Sequence, residues 1–405
     1  MHISPPRSDA KFHAPVPARR TVNEAVRVWW RELDKWLLGL AVLLMALGTL
    51  AVAAASPAAG RQYQVAEFVF FQRHVVFQLL GLGVMIAASF ASREDARRLG
   101  IVLAIGMLFL LLLVPVIGVE RNGARRWLDL GFSLQPSEFL KPGFAILLAW
   151  ILSWRLRDSS LPVVAYSTLA MAVVGALLML QPNLGATILF GGVWFVLVWL
   201  SGMPLRRIGA LVAGGLGAMT AAYFLYDNAR YRIDSFFAGG TAFDQVDLAN
   251  RTLLGGGWTG SGLWLGTNKM RLPEAHTDYI FSVIGEEFGL LMCAVILMLY
   301  VAIIVRALLR LVDEDNLFAL LAGAGLATQI GGQAFTNMLV NLGLFPSKGM
   351  TLPLVSYGGS STLAVALTFG LLLAITRRNP FLEREKPGLR NLFDKQGHAR
   401  QEPRA

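Results

Sequence analysis

Residues 272–289 read LPEAHTDYIFSVIGEEFG, and the run that follows, LLMCAVILMLYVAIIV at 290–305, carries no charge. A continuous apolar run of about 20 residues is long enough to cross the hydrocarbon of a bilayer as a helix. Glu274, His276 and Asp278 stand at the lip of this run, and Glu286 and Glu287 lie a few turns further in. Ionisable groups at membrane depth are costly and mark either function or a fixed partner. Asp278 therefore has two readings, a helix N-cap or a reacting carboxylate. The deeper Glu286–Glu287 pair reads as structural, locking helices by pairing with a cation or by staying protonated.

The same pattern recurs along the chain. Of 405 residues 55% are hydrophobic and only 15% charged, which excludes an ordinary soluble domain. Apolar runs fall at about 36–55, 75–92, 99–118, 136–154, 162–181, 183–202, 206–226, 279–309, 316–345 and 352–376. The expected fold is an all-α polytopic membrane protein with about ten transmembrane helices. The net charge of +10 resides mainly in tails and short loops flanking the runs, the signature of membrane topology and not of nucleic-acid binding. Its bias puts both termini in the cytoplasm. The single cysteine, Cys293, excludes a disulfide framework or a Cys-based metal site. No cleavable leader is expected from the polar, basic residues 1–33. That tail and residues 379–405 read as disordered cytoplasmic segments flanking a membrane domain at 34–378, with anionic membrane lipid as a partner open to them.

Two connections fall on the outer face in this topology. Residues 227–277 form a large, Gly-rich extracytoplasmic loop between the seventh and eighth helices, expected to be structureless and too polar to enter lipid. Residues 119–135 carry Arg121, Arg125 and Arg126 on the side where basic residues are disfavoured. Just after them, Pro136, Ser137 and Glu138 suit a helix start. Glu138 and Lys141, three apart, share a helix face. They read either as a buried ion pair or, with both arginines, as a cationic floor for phosphate, which Arg matches bidentately. QPNLGA at 181–186 reads as a tight helical hairpin. In NMLVNLGLFPSKGMTLPLVSYGGSS, at 337–361, Pro and Gly break helices where a protein-lined cavity would tolerate it. Ser356 and Tyr357 there can bond a sugar or phosphate, or satisfy freed backbone. No strong internal repeat of the inverted-transporter kind is visible.

GARRWLDLG…QPSEFLK, QPNLGA, LPEAHTDYIFSVIGEE and LFPSKGMTLPLVSYGGSS, in this order and spacing, resemble the SEDS family (shape, elongation, division and sporulation) over residues 36–379. SKGMT at 347–351 and IGEE at 284–287 are similar to its cell-division branch; the sporulation branch is close to it, and the elongation branch reads differently there. The resemblance implies a ten-helix peptidoglycan glycosyltransferase of the bacterial inner membrane, at the division septum, that polymerises lipid II beside a class B penicillin-binding protein and other divisome membrane proteins. It places the family's essential aspartate on Asp278, its PSExxK pair on Glu138 and Lys141, and its Arg-Trp arginine on Arg126. Arg125, His276, Lys348 and Ser356 join these as candidate substrate or pyrophosphate contacts. There are two departures: Asn183 stands where most members have Asp, and Leu263-Trp264-Leu265 interrupts a stretch the family keeps Gly-rich.

The implied reaction is attack of a sugar 4-hydroxyl on the anomeric carbon of a second lipid-linked sugar. Asp278 serves it either as general base, a role worth about 10²–10⁴ in rate, or as ligand to a divalent cation, Mg²⁺ or Mn²⁺, on the leaving pyrophosphate. No other cofactor is implied. A lipid II flippase, an elongation-type polymerase and a non-catalytic divisome scaffold are the rival readings.

Overall fold

A computed structural model describes residues 22–378 apart from 122–123, 130, 132, 157, 159, 228–229, 232, 235–240 and 347–348. Lys348 thus lies outside the described residues. Twelve α-helices are described: α1 (Val22–Glu32), α2 (Lys35–Gln62), α3 (Val69–Ser89), α4 (Arg93–Ile117), α5 (Pro136–Ser153), α6 (Val163–Leu180), α7 (Leu184–Leu200), α8 (Leu205–Leu225), α9 (Thr241–Gly255), α10 (Ile280–Leu311), α11 (Leu317–Asn341) and α12 (Gly359–Ile375). Eight are long and apolar enough to cross a membrane, and α7 and α12 are apolar but shorter. These ten are the expected spans, and the protein is a multi-pass membrane protein. α1 belongs to a different unit from the one formed by residues 34–377.

Inside that unit α5, α11 and α12 form the centre. α11 buries a run of small residues, Ala322, Gly323, Ala324, Gly325 and Ala327, and small residues let transmembrane helices approach closely. It packs on α5, α7, α10 and α12, while α12 also packs on α3. α8 is peripheral, with Leu216, Phe224 and Leu225 exposed. α2 and α10 are pinned together at one end by Asp34. Its carboxylate caps α2 through Trp36 N and Leu37 N, and accepts 2.7 Å hydrogen bonds from Arg306 Nε and Arg310 Nε.

Four features depart from the sequence reading. Residues 22–32 of the tail expected to be disordered form α1, and the rest of both tails, 1–21 and 379–405, lies outside the described residues. Residues 119–134 build a small antiparallel meander, β1 (Val119–Arg121), β2 (Ala124–Asp129) and β3 (Ser133–Leu134). Residues 227–277 are not a structureless loop, because α9 packs against α10. The last helix starts at Gly359 and not near 352, because residues 352–358 turn to serve the site described below.

α10 is broken. Gly289 has φ 81 and ψ 171 inside it, a backbone conformation open to glycine. Leu290 N and Leu291 N, which an unbroken helix would direct at residues 286 and 287, donate instead to Gly257 O (2.9 Å) and Trp258 O (3.2 Å). The carbonyls of Glu286 and Glu287 accept from Ser261 N (2.8 Å) and Gly262 N (3.1 Å). The loop after α9 thus takes over these four backbone groups. This needs backbone against backbone: a Cβ on Gly256 would collide with the carbonyls of Gly285 and Glu286, and one on Gly260 with that of Glu287.

Candidate active site

The segment 276–278 is held by its main chain. Three successive carbonyls each receive a donor from another element: His276 O from Tyr357 N (2.9 Å), Thr277 O from Ser356 Oγ (2.6 Å), and Asp278 O from Asn337 Nδ2 (2.8 Å) and Asn341 Nδ2 (3.1 Å). Ser356 also accepts from Leu352 N at 2.7 Å, so its hydroxyl is spent on backbone, not on ligand. Asn341 Oδ1 in turn accepts from Ser282 N and Oγ. With Asp278's backbone fixed from three sides, its carboxylate is preorganised.

That carboxylate lines a cleft of about 210 Å³, open mouth included, with Tyr279, Asn337, Val340, Gly349 and Met350. The arginine of β2 reaches the same place. A Cβ placed on Gly349, whose φ is +60, would lie 3.5 Å from Asp278 Oδ2 and 3.9 Å from Arg126 Nη1. A bare glycine thus separates an acid from a guanidinium. Arg126 is aimed by the 181–183 turn, donating to Gln181 O (3.1 Å) and Pro182 O. Asn183 caps α7, accepting from Ala186 N at 3.3 Å.

Lys141, 5% exposed, forms a 2.7 Å ion pair with Glu138 and donates to Gln333 Oε1 at 2.9 Å. Gln333 Nε2 continues to Thr351 O at 3.0 Å, next to Met350 of the cleft. Arg125 points away, exposed and 3.5 Å from Glu120. His276, 3% exposed, packs on Phe70, Tyr63 and Tyr357, with ring centroids 4.4, 5.8 and 5.4 Å away. Burial pushes its pKa down to about 4 against a partial opposing pull from Glu274. It is an uncharged packing ring. Burial and the hydrogen bond to Glu274 raise the pKa of Tyr63, whose hydroxyl donates to that carboxylate at 2.8 Å.

Glu286 and Glu287 find their partners in the loop and not on another helix. Glu286 accepts from Asn268 N (2.7 Å) and Lys269 N (2.9 Å). Glu287 pairs with Lys269 Nζ and accepts from Trp264 N and Gly266 N. Lys269 Nζ also donates to Ala54 O of α2 at 2.9 Å. Trp264 takes φ +65 here, which is why a glycine-rich stretch would suit this turn. Sequence reading missed Lys269, Gly349, Gln333 and Asn341. A signal for two of them existed: Gln333 and Asn341 belong to a set, Gln329, Gln333, Asn337 and Asn341, that recurs every fourth residue of an apolar helix, a polar stripe that needs a reason.

A family model described as "Cell cycle protein", covering FtsW, RodA and SpoVE, matches residues 34–380. The chain belongs to the SEDS family. It is 36% identical over 364 residues to the probable peptidoglycan glycosyltransferase FtsW of Caulobacter vibrioides, covering 89% of this chain and 93% of that one. To the FtsW of the same description from Halorhodospira halophila it is 37% identical, covering 85% and 90%. Among solved SEDS-like structures, one chain from a peptidoglycan synthase complex coordinating polymerization and crosslinking superposes with a TM-score of 0.70 at 30% identity, covering 88% of this chain and 99% of that one. The rod shape determining protein RodA of Thermus thermophilus gives 0.63 at 30% identity, with the same coverage.

Proposed function

We propose that this SEDS protein is a peptidoglycan glycosyltransferase that polymerises lipid II at the outer face of the bacterial inner membrane, with both termini in the cytoplasm. The observation carrying this reading is the carboxylate of Asp278 set beside the guanidinium of Arg126 across Gly349, with its main chain held by Asn337, Asn341 and Ser356. Displacement at an anomeric carbon needs those two groups in one place. The acceptor's 4-hydroxyl attacks, its proton passes to the Asp278 carboxylate, a new C–O bond forms, and the bond to phosphate breaks with its electron pair leaving on the pyrophosphate. Arg126 meets the charge that develops there. Lys141, buried and shared between Glu138 and Gln333, positions the segment around Thr351. His276 and Ser356 hold the Asp278 loop and leave substrate contact to others.

Among the described residues no three His, Cys, Asp or Glu side chains converge as a metal cluster. A divalent cation at Asp278 would draw its other ligands from pyrophosphate oxygens and water, as Mg²⁺ commonly does; bound there it would neutralise leaving-group charge. The names of the relatives, and the synthase complex among the structural neighbours, support a class B penicillin-binding protein as partner and the division septum as the place of work. The test is strand synthesis by the purified protein with its cognate penicillin-binding protein and lipid II. Wild type yields glycan strands, and Asp278→Ala and Asp278→Asn yield none while remaining folded and membrane-inserted. Strands from a well-folded Asp278→Ala protein would overturn the assignment.

A further inference from the structure

α2 and α10 are tied at two levels. At one end Asp34 holds Arg306 and Arg310; at the other Lys269 bridges Glu287 and Ala54 O. Residues 35–54 of α2 span about 29 Å at about 1.5 Å per residue. The hydrocarbon of a bilayer is about 30 Å thick. The separation of the two ties along α2 matches that thickness, and the Lys269 tie lies toward the end of α10 nearer Asp278.

The loop just before this tie, residues 256–266, is bonded to α10 through its backbone at the same level. Besides Thr259 and Ser261, its exposed side chains are large and apolar: Trp258 is 71% exposed, Leu265 70%, Trp264 50% and Leu263 38%. In a water-facing loop four large exposed apolar side chains within eight residues are costly. At a hydrocarbon boundary they are favoured, Trp above all. Trp264 shows the amphipathic pose expected there, its Nε1 bonded to Ala53 O at 3.1 Å and its ring edge-on to Phe68.

We infer that residues 256–266 form a membrane-dipping element whose Trp258, Leu263, Trp264 and Leu265 rest in the lipid at the hydrocarbon boundary of the leaflet on the Asp278 side. The loop between α8 and α10 is thus not wholly solvated, contrary to its polar composition. The chain runs from this element through residues 267–271 to residues 272–278, so its seat on α10 constrains where that segment begins. This inference stands on the membrane reading alone and is independent of the proposed reaction.

The test is nitroxide labelling of Leu265→Cys and, separately, Trp258→Cys in a Cys293→Ala background. The full chain sits in nanodiscs of phosphatidylethanolamine and phosphatidylglycerol, and accessibility to oxygen and to a water-soluble nickel chelate is measured. Met298→Cys, on an exposed face of α10, is the lipid control, and Arg271→Cys, on the exposed loop, the aqueous one. Labels at 265 and 258 should show an oxygen-to-nickel ratio well above that at 271 and approaching that at 298. A ratio matching 271 overturns the inference. So does shielding from both reagents, which would mean that protein and not lipid covers the face.

Discussion

Lys269→Ala should unfasten the loop from both α2 and α10. The Lys269–Glu287 pair has neither side chain exposed to solvent, so its loss leaves a buried carboxylate without its cation. Breaking a buried pair by removing one partner costs about 3–5 kcal/mol. Glu287 keeps two backbone donors, Trp264 N and Gly266 N, which places the cost at the low end, near 3 kcal/mol. The loss of the bond to Ala54 O adds about 1 kcal/mol. Lys269→Met with Glu287→Gln removes both charges and keeps the volume, so it should recover more than half of the loss. The assay is equilibrium unfolding in detergent, with limited proteolysis of residues 256–270 as a local readout. A Lys269→Ala protein within about 0.5 kcal/mol of wild type, the range of an ordinary surface change, would refute the reasoning. So would a double variant no better than the single one.

Other outcomes follow from the same geometry. His276 is held neutral with a pKa near 4, whereas the unfolded chain takes up that proton near pH 6.5. Stability should fall as pH drops from about 6.5 towards 4, by up to about 3 kcal/mol, and His276→Phe should flatten that dependence in acid unfolding scans. Gly349→Ala should cost about 1 kcal/mol through its left-handed backbone and keep part of the activity. Gly349→Leu should fill the cleft and abolish strand synthesis in a protein that still folds, measured by gel and by thermal unfolding. Burial raises the pKa of Asp34, but hydrogen bonds from Arg310 and Arg306 outweigh it and leave the value below normal. Its contribution is therefore intact at neutral pH and lost only as pH falls below about 4. Asp34→Asn should cost about 2 kcal/mol, less than a fully buried pair, because its guanidinium partners reach water.

The spans were legible because hydrocarbon selects for runs of one character, and α2 to α8, α10 and α11 start or end within a few residues of the apolar runs. α9 was hidden because TAFDQVDLANRTLLG, at 241–255, is polar on one side and neighbours glycines that suggest a coil. The break in α10 was hidden too: a single Gly in an apolar run does not announce itself, and its repair comes from residues nearly thirty positions upstream. Asp278 stood out as an acid at a hydrophobic edge. Its supports did not, because Asn337, Asn341 and Ser356 act on carbonyls, and carbonyls leave no mark in a sequence. Of the two readings open to Ser356, ligand contact or satisfaction of freed backbone, the hydrogen bonds show the second; His276, read as a ligand contact, is buried against the aromatic rings beside the loop. The partner of Glu287 was illegible for the same reason, since Lys269 reads as one more loop cation until its depth is known.

The repaired break has a further property. Were Gly289 to become helical, Leu290 N and Leu291 N would return to the carbonyls of Glu286 and Glu287, and the loop's own donors and acceptors would turn to water at the membrane surface. Those four backbone groups of α10 are satisfied in either arrangement: by the loop with Gly289 as it stands, and by one another in a continuous helix. What holds the loop in place besides these bonds is packing of glycine against backbone, the Lys269 tie and four loop N–H groups on the Glu286 and Glu287 carboxylates. The α10 junction is therefore a seam fastened chiefly by the two acids that the helix itself carries.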